Sequence, residues 1–398
     1  MIYTIFNAII YCLLAAYLFA YRRNNWPAIL LTVLYAVIAV MGIFYAEYYN
    51  RRNYIELWPY LYLFLVFLLF VRPILQFQPL TNFKITKSLK WIIAIYVLCT
   101  IVNIEQKISP IVTLLQTGSW LSIKAAAYEG ELGYTTSFFQ VIATLFVTTF
   151  MPLLLIMSFY YMSDSRVKFV KGLLLLVITI TPEILSNILY AYRGGLLIIS
   201  LSILSVYLMF KDKMNATRKK VWNIIMISIG TALVVLVLAI TFSRFGEEDS
   251  ESSLVSYIGQ PMVVFNGGIA VCAENTMEGR YFFSRRMNRD EIWKDSFLRT
   301  HTNNGANLNT FVGCSYLDFG FLLTILIAIV VSFYTKSILK DKHKYPIATS
   351  YIYIFYLNYL FLGAFHSTIG YSRIVFLSLI AYYLLRILTS PQMKQQAS

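Results

Sequence analysis

Charge is what this 398-residue sequence has least of. Charged residues make up 13% of the chain and hydrophobic residues 59%, with a mean hydropathy of +0.66. A soluble domain carries about 25% charged residues, so that class is excluded. Four cysteines are too few for a disulfide scaffold. Cys12 and Cys99 fall in apolar runs and read as small core residues. Cys272 and Cys314 share one polar stretch and could pair if it faces an oxidising space. No Cys/His spacing points to zinc, and no P-loop points to ATP or GTP. No nucleic-acid recognition module is present, so the net charge of +14 is a topology signal rather than a nucleic-acid signal.

Apolar runs fill the chain instead. About 20 apolar residues span a bilayer as a helix, because lipid cannot satisfy a bare backbone N–H or C=O. The expected fold class is therefore all-α: a polytopic integral membrane protein, residues 1–398 forming one membrane domain. Eleven spans are read: Ile2–Tyr21, Trp26–Ala46, Trp58–Leu75, Leu89–Ile104, Phe138–Met162, Gly172–Tyr190, Gly194–Phe210, Trp222–Thr241, Leu317–Leu339, Ile347–Phe365 and Ile374–Leu388. No span repeats another. The first lacks a basic leader and a small-residue cleavage site, and Arg22-Arg23 follow it directly, which reads as an uncleaved anchor with an outside N-terminus. Alternate loops then lie inside, where the C-terminus also falls. Those loops carry most of the Lys and Arg and only three acids, Asp164, Asp212 and Asp341, as the positive-inside rule requires. The main outward stretches are a large extracytoplasmic loop over residues 244–316, between spans eight and nine, and a smaller one over 105–137; Glu47–Leu57, the turn at Tyr192-Arg193-Gly194 and His366–Arg373 lie on the same side. Both loops are expected to be water-facing.

Several outward residues have the chemistry of a site. Arg193-Gly194-Gly195 opens a span, so free helix N–H groups and a guanidinium converge where glycine lets a ligand approach the backbone. That suits phosphate or pyrophosphate; the alternative is a tight turn with a snorkelling arginine. Arg244 and Arg373 lie at membrane edges against the charge bias, as anion ligands or as interfacial anchors. Arg299 belongs to a basic group within the large loop, alongside Arg280, Arg285, Arg286 and Arg289, which reads otherwise as solvated surface. His301 and His366 are the histidines able to act as a general base, or to make structural hydrogen bonds; His343 sits among inside lysines. Glu183 follows Pro182 inside a span, where a carboxylate needs a partner or a polar cavity. Asp318-Phe319-Gly320 imitates a kinase signature, but no companion motif supports it, so Asp318 marks a membrane entry. Glu247-Glu248-Asp249-Ser250-Glu251 could bind a divalent cation or form a solvated acidic turn.

Tyr192-Arg193-Gly194-Gly195, Tyr257-Ile258-Gly259-Gln260-Pro261 with Phe265-Asn266-Gly267-Gly268, and Asn309-Thr310 followed by Tyr316-Leu317-Asp318-Phe319-Gly320 give the chain a family likeness. With its span number and late outer loop, it resembles the bacterial oligosaccharide repeat-unit polymerases, the Wzy-type O-antigen and capsule polymerases. The resemblance implies a multi-pass protein of the bacterial cytoplasmic (inner) membrane. It implies a glycosyltransferase that moves a growing glycan from undecaprenyl pyrophosphate to the next lipid-linked repeat unit, building lipopolysaccharide O-antigen, capsule or exopolysaccharide. The expected partners are that lipid-linked oligosaccharide as donor and acceptor, membrane lipids, and the pathway's flippase and chain-length regulator, without nucleic acid. No metal or cofactor is expected. In these terms Arg193, Gly194, Gly195, Arg244, Arg299 and Arg373 would hold the pyrophosphate, and the catalytic candidates are His301, His366, Glu183 and Asp318. One departure is visible: residues 105–137 carry only Lys107 and Lys124 and no arginine, so no basic arm is assigned there. An O-antigen ligase-like transferase, and a lipid-linked glycan flippase or transporter, are the alternatives.

Overall fold

In the computed structural model, residues 1–48, 55–77, 80–81, 83, 85–117, 137–189, 193–245, 250–271, 310–365 and 372–389 are described. Every regular element among them is helical, with no strand. The long elements are α1 (Ile2–Tyr21), α2 (Trp26–Tyr48), α3 (Leu57–Gln76), α4 (Lys87–Thr117), α5 (Phe138–Ser163), α6 (Phe169–Leu189), α7 (Arg193–Phe210), α8 (Ala216–Phe245), α9 (Ser250–Val263), α10 (Phe311–Lys340), α11 (Pro346–Leu362) and α12 (Ser372–Thr389). A π-helical turn, Val264–Ala270, continues α9. Eight helical segments among the described residues are long and apolar enough to cross a membrane, and α11 is a shorter apolar helix. That makes the chain a multi-pass helical membrane protein.

The chain divides into two compact units. The first comprises Met1–Gln78, Glu248–Leu339 and Tyr356–Arg373. Here α2 packs against both α1 and α9. The close approach needs a residue without a side chain: a β-carbon at Gly259 would overlap the Met41 carbonyl. Some polar groups that lipid could not satisfy are paired internally. Asn25 Nδ2 donates to the Ile74 carbonyl at 2.8 Å, closing the C-terminal end of α3. Asn266 makes two bonds to Glu56, accepting from its N–H at 2.9 Å and donating to its carbonyl at 2.7 Å. Gly320 has φ 76°, a left-handed conformation that kinks α10 one residue after Phe319.

This unit revises what the outward loops look like. Within 244–316, α8 persists to Phe245, α9 and the π turn occupy Ser250–Ala270, and α10 begins at Phe311. Gly259, Gln260, Pro261, Phe265, Asn266 and Gly268 are buried. The Tyr-Ile-Gly-Gln-Pro and Phe-Asn-Gly-Gly stretches thus lie in a helix and its π-helical continuation and are largely buried. Alternating apolar and small residues there produce a helix too short to span but apolar enough to bury. Cys314 is buried in α10, and Cys272 lies outside the described residues.

The second unit comprises Pro79–Glu247, Lys340–Phe355 and Ile374–Ser398. Helices α4, α5 and α6 pack mutually, α7 packs on α5 and α6, and α8 packs on α7. Ser137 caps α5 in a reciprocal capping box with Gln140. Trp222 packs edge-on against Phe159, ring centroids 4.9 Å apart. Arg218 reaches from the first turn of α8 to the C-terminal end of α5. Helix α4 runs on through Glu105 and Lys107 to Thr117, so the first residues of 105–137 are helix.

Candidate functional site: a half-buried lysine, a proline-containing turn and the start of a helix

Helix α6 contains Pro182 in its C-terminal half. Proline has no N–H, which removes the usual donor to the carbonyl one turn before it, and α6 continues through it. The carbonyl of Pro182 itself takes a bond from a neighbouring helix. Lys107 on α4 sends its ammonium to the Pro182 carbonyl at 2.9 Å, to Ser186 Oγ at 2.5 Å and to Asn103 Oδ1 at 2.6 Å. An ammonium has three protons, and each has an acceptor here. Ser186 Oγ also donates to the Pro182 carbonyl at 2.9 Å. Asn103, one helical turn before Lys107, is buried and donates to Thr144 Oγ1 on α5 at 2.8 Å. Three helices are therefore tied together through one cation.

The Glu183 carboxylate is the opposing charge in electrostatic reach of Lys107. It stands next to Pro182 on the same turn, half-buried, as does Lys107. Lys107 is near enough to act on Glu183 electrostatically, but its three hydrogen bonds go to Asn103, Pro182 and Ser186 and none to the Glu183 carboxylate. In a low-dielectric interior an ammonium persists only with its donors satisfied, which the three oxygen acceptors provide.

The same turn of α6 carries Asn187, which is buried and donates from Nδ2 to the Glu183 carbonyl at 2.8 Å. Its Oδ1 lies against Gly195, so closely that a β-carbon there would overlap it. Gly194 and Gly195 are both buried in the first turn of α7, directly after Arg193. The glycine pair thus admits the Asn187 carboxamide to the backbone. That is a packing requirement which the sequence pattern did not reveal.

The remaining candidates distribute as follows. Arg193 opens α7 and Arg244 is the penultimate residue of α8, so with Glu183, Gly194 and Gly195 they belong to the second unit. Asp318 is fully buried in α10 just before the Gly320 kink, and Arg373 is exposed in the first turn of α12; both belong to the first unit. Arg299, His301 and His366 lie outside the described residues, as do Glu247, Glu248 and Asp249. Among the described residues, no group of His, Cys, Asp and Glu is arranged to hold a metal ion.

Sequence reasoning passed over Lys107, Asn103 and Ser186. A signal existed: Asn103 and Lys107 stand four apart on one helix face, and an ionisable residue within an apolar span calls for a partner. The span had been ended at Ile104, which placed the lysine in a loop. The assembled features define a helical membrane protein with a charged cluster built among its spans. No family model, curated protein or solved structure matches the chain.

Proposed function

We propose that this chain is a membrane glycosyltransferase of the oligosaccharide repeat-unit polymerase type. It joins undecaprenyl-pyrophosphate-linked repeat units on the outer face of the bacterial cytoplasmic membrane. The reading takes eleven spans with the N-terminus outside, for which the charge bias of the alternate loops is the support; on that topology the junction of α6 and α7 would stand at the outer face. The observation that supports the reading is the turn Pro182–Asn187. It joins Lys107 to the buried glycines that open α7 immediately after Arg193.

The chemistry suits such a transfer. As the glycosidic bond breaks, negative charge gathers on the departing pyrophosphate, and guanidinium groups stabilise it without a cation. Arg193 and Arg244 take that role first, with Arg373 and Arg299 behind them. His301 or His366 receives the acceptor hydroxyl proton.

The test is elongation of purified lipid-linked repeat units by the purified protein without nucleotide sugar. Arg193→Ala and Arg244→Ala are each expected to abolish polymer while protein abundance stays near normal. Full activity with lysine at both positions would remove bidentate anion recognition from the account. One observation favours a second reading, a transporter of the same lipid-linked glycans: Lys107 and Glu183 sit within spans, as charged groups on transport paths do. Translocation into vesicles without elongation would select it.

A further inference from the structure

Among the described residues no donor reaches the Glu183 carboxylate. Lys107 gives its three protons to Asn103, Pro182 and Ser186, and Asn187 bonds to the backbone carbonyl of Glu183, not to its side chain. Yet Glu183 lies in a helix apolar enough to cross a membrane, and is half-buried there. The field of Lys107 is what remains to hold its charge. Apolar surroundings favour the neutral acid and the nearby cation favours the carboxylate, which brings the two protonation states within reach of one another.

The groups beside Glu183 form a line. Tyr96, Thr100, Asn103 and Lys107 follow one another at spacings of four, three and four on α4, along one face of the helix. Tyr96 donates to the Thr179 carbonyl, one turn before Glu183 on α6, at 3.2 Å. Thr100 is buried and its hydroxyl has no hydrogen-bond partner in the protein. From Tyr96 to Lys107 this seam covers about 16 Å of helix axis, about half of a hydrocarbon core of about 30 Å. Interhelical bonds of the Tyr96 and Asn103 kind are ordinary glue between spans. Glue does not account for the Thr100 hydroxyl or the Glu183 carboxylate, which bond to nothing across the interface. The titratable groups that act on Glu183 are Lys107 and Tyr96, both from α4, with Cys99 beside Tyr96. Helix α5 has no ionisable side chain from Phe138 to Phe159, and the adjoining first turn of α7 has Arg193.

We propose that Glu183 is a proton-binding site within the membrane. Its carboxyl takes up one proton as the neutral acid and returns it to water as the carboxylate, with Lys107 as fixed counter-charge and the α4 seam as the polar path beside it. The inference goes beyond the glycan chemistry proposed above and does not depend on it.

The test uses full-length protein in detergent, dicyclohexylcarbodiimide as an apolar probe and peptide mass spectrometry. A neutral carboxylic acid adds its oxygen to the carbodiimide carbon while its proton passes to nitrogen, and the adduct rearranges to a stable acylurea; a carboxylate has no proton to give. Glu183 is expected to be labelled, with labelling that falls about tenfold per pH unit beyond one midpoint, on a curve separate from that of exposed Glu56. Glu183→Gln should remove that adduct. Lys107→Met takes away the cation that favours the carboxylate, so Glu183 should keep its proton to a pH higher by about one unit, seen as about tenfold more label above the wild-type midpoint. Lys107→Arg keeps the charge and should stay near the wild-type curve. The wild-type curve decides the first claim even if a variant fails to fold. No label on Glu183 from about pH 5 to 9, label that does not change with pH, or a curve shared with Glu56 would each overturn the inference. So would a folded Lys107→Met whose curve coincides with that of wild type. No readout involves a glycan, so a failure to elongate weighs against the polymerase reading alone.

Discussion

Two cations in the second unit meet the same physical problem in opposite settings. Lys107 lies within a span and takes one backbone carbonyl, that of Pro182 on α6, together with two side-chain oxygens. Arg218 lies at a helix end and takes backbone carbonyls only: Met162 at 2.9 Å, Asp164 at 2.7 Å, Val167 at 2.8 Å and Ser165 at 3.4 Å. Those are the orphan acceptors that close α5 and lead into α6, which every helix terminus leaves behind. A planar fork suits a fan of carbonyls, whereas a compact ammonium suits a pocket. The lesson concerns role. Arg218 completes a helix end that needs completing in any fold, while Lys107 joins α4 to a carbonyl and a hydroxyl on the side of α6.

The comparison can be broken at the point where the Lys107 side reaches α7. Gly195→Ala should cost about 2–3 kcal/mol, since the added methyl must displace the buried Asn187 carboxamide from its bond. Adding Asn187→Ala should recover most of that in thermal unfolding. An uncompensated loss would mean that Asn187 is not what the glycine accommodates. Arg218→Ala tests the other side and should cost about 2 kcal/mol, with amide exchange rising first at the C-terminal turn of α5. Carbodiimide labelling of Glu183 should keep the wild-type pH profile in that variant; a shift as large as that of Lys107→Met would erase the distinction between the two cations.

The smallest expected effect sharpens the Arg218 side through its neighbour. Asp164 accepts from Arg166 Nε at 3.0 Å and Nη2 at 2.9 Å. Those hydrogen bonds hold its carboxyl below the ordinary carboxylate value. A group shifted down stabilises the fold fully above its unfolded value, near pH 4, and ceases to do so as pH falls through the lower folded value. The wild-type advantage in thermal midpoint over Asp164→Asn should thus be constant from about pH 8 to 5 and close below about pH 4. An exposed pair of this kind amounts to about one degree. An advantage that grew with acid would reverse the assignment.

The helices themselves were legible to within a few residues wherever a long apolar run met a polar or basic break. The spans read as Ile2–Tyr21 and Gly194–Phe210 reappear as α1 and most of α7. Ends were missed where polar residues continue a helix, as in α4, because Glu105, Gln106 and Lys107 are good helix formers whose polarity imitates a loop. The segment Ser250–Ala270 was read as outward loop because its mean polarity hid a buried helix face. Of the site, Arg193-Gly194-Gly195 and Glu183 were visible from local pattern. Lys107 was not, since its partners are 75 and 79 residues away.

What the sequence determined alone is the class. A chain this poor in charge and rich in apolar runs has to bury its backbone polar groups in helices, whatever their arrangement. Which helices meet was beyond it. The pairing of Lys107 with the Pro182 turn, and of Asn187 with Gly195, depends on the packing of α4 on α6 and of α6 on α7. Hydropathy carries no record of which faces are turned toward one another.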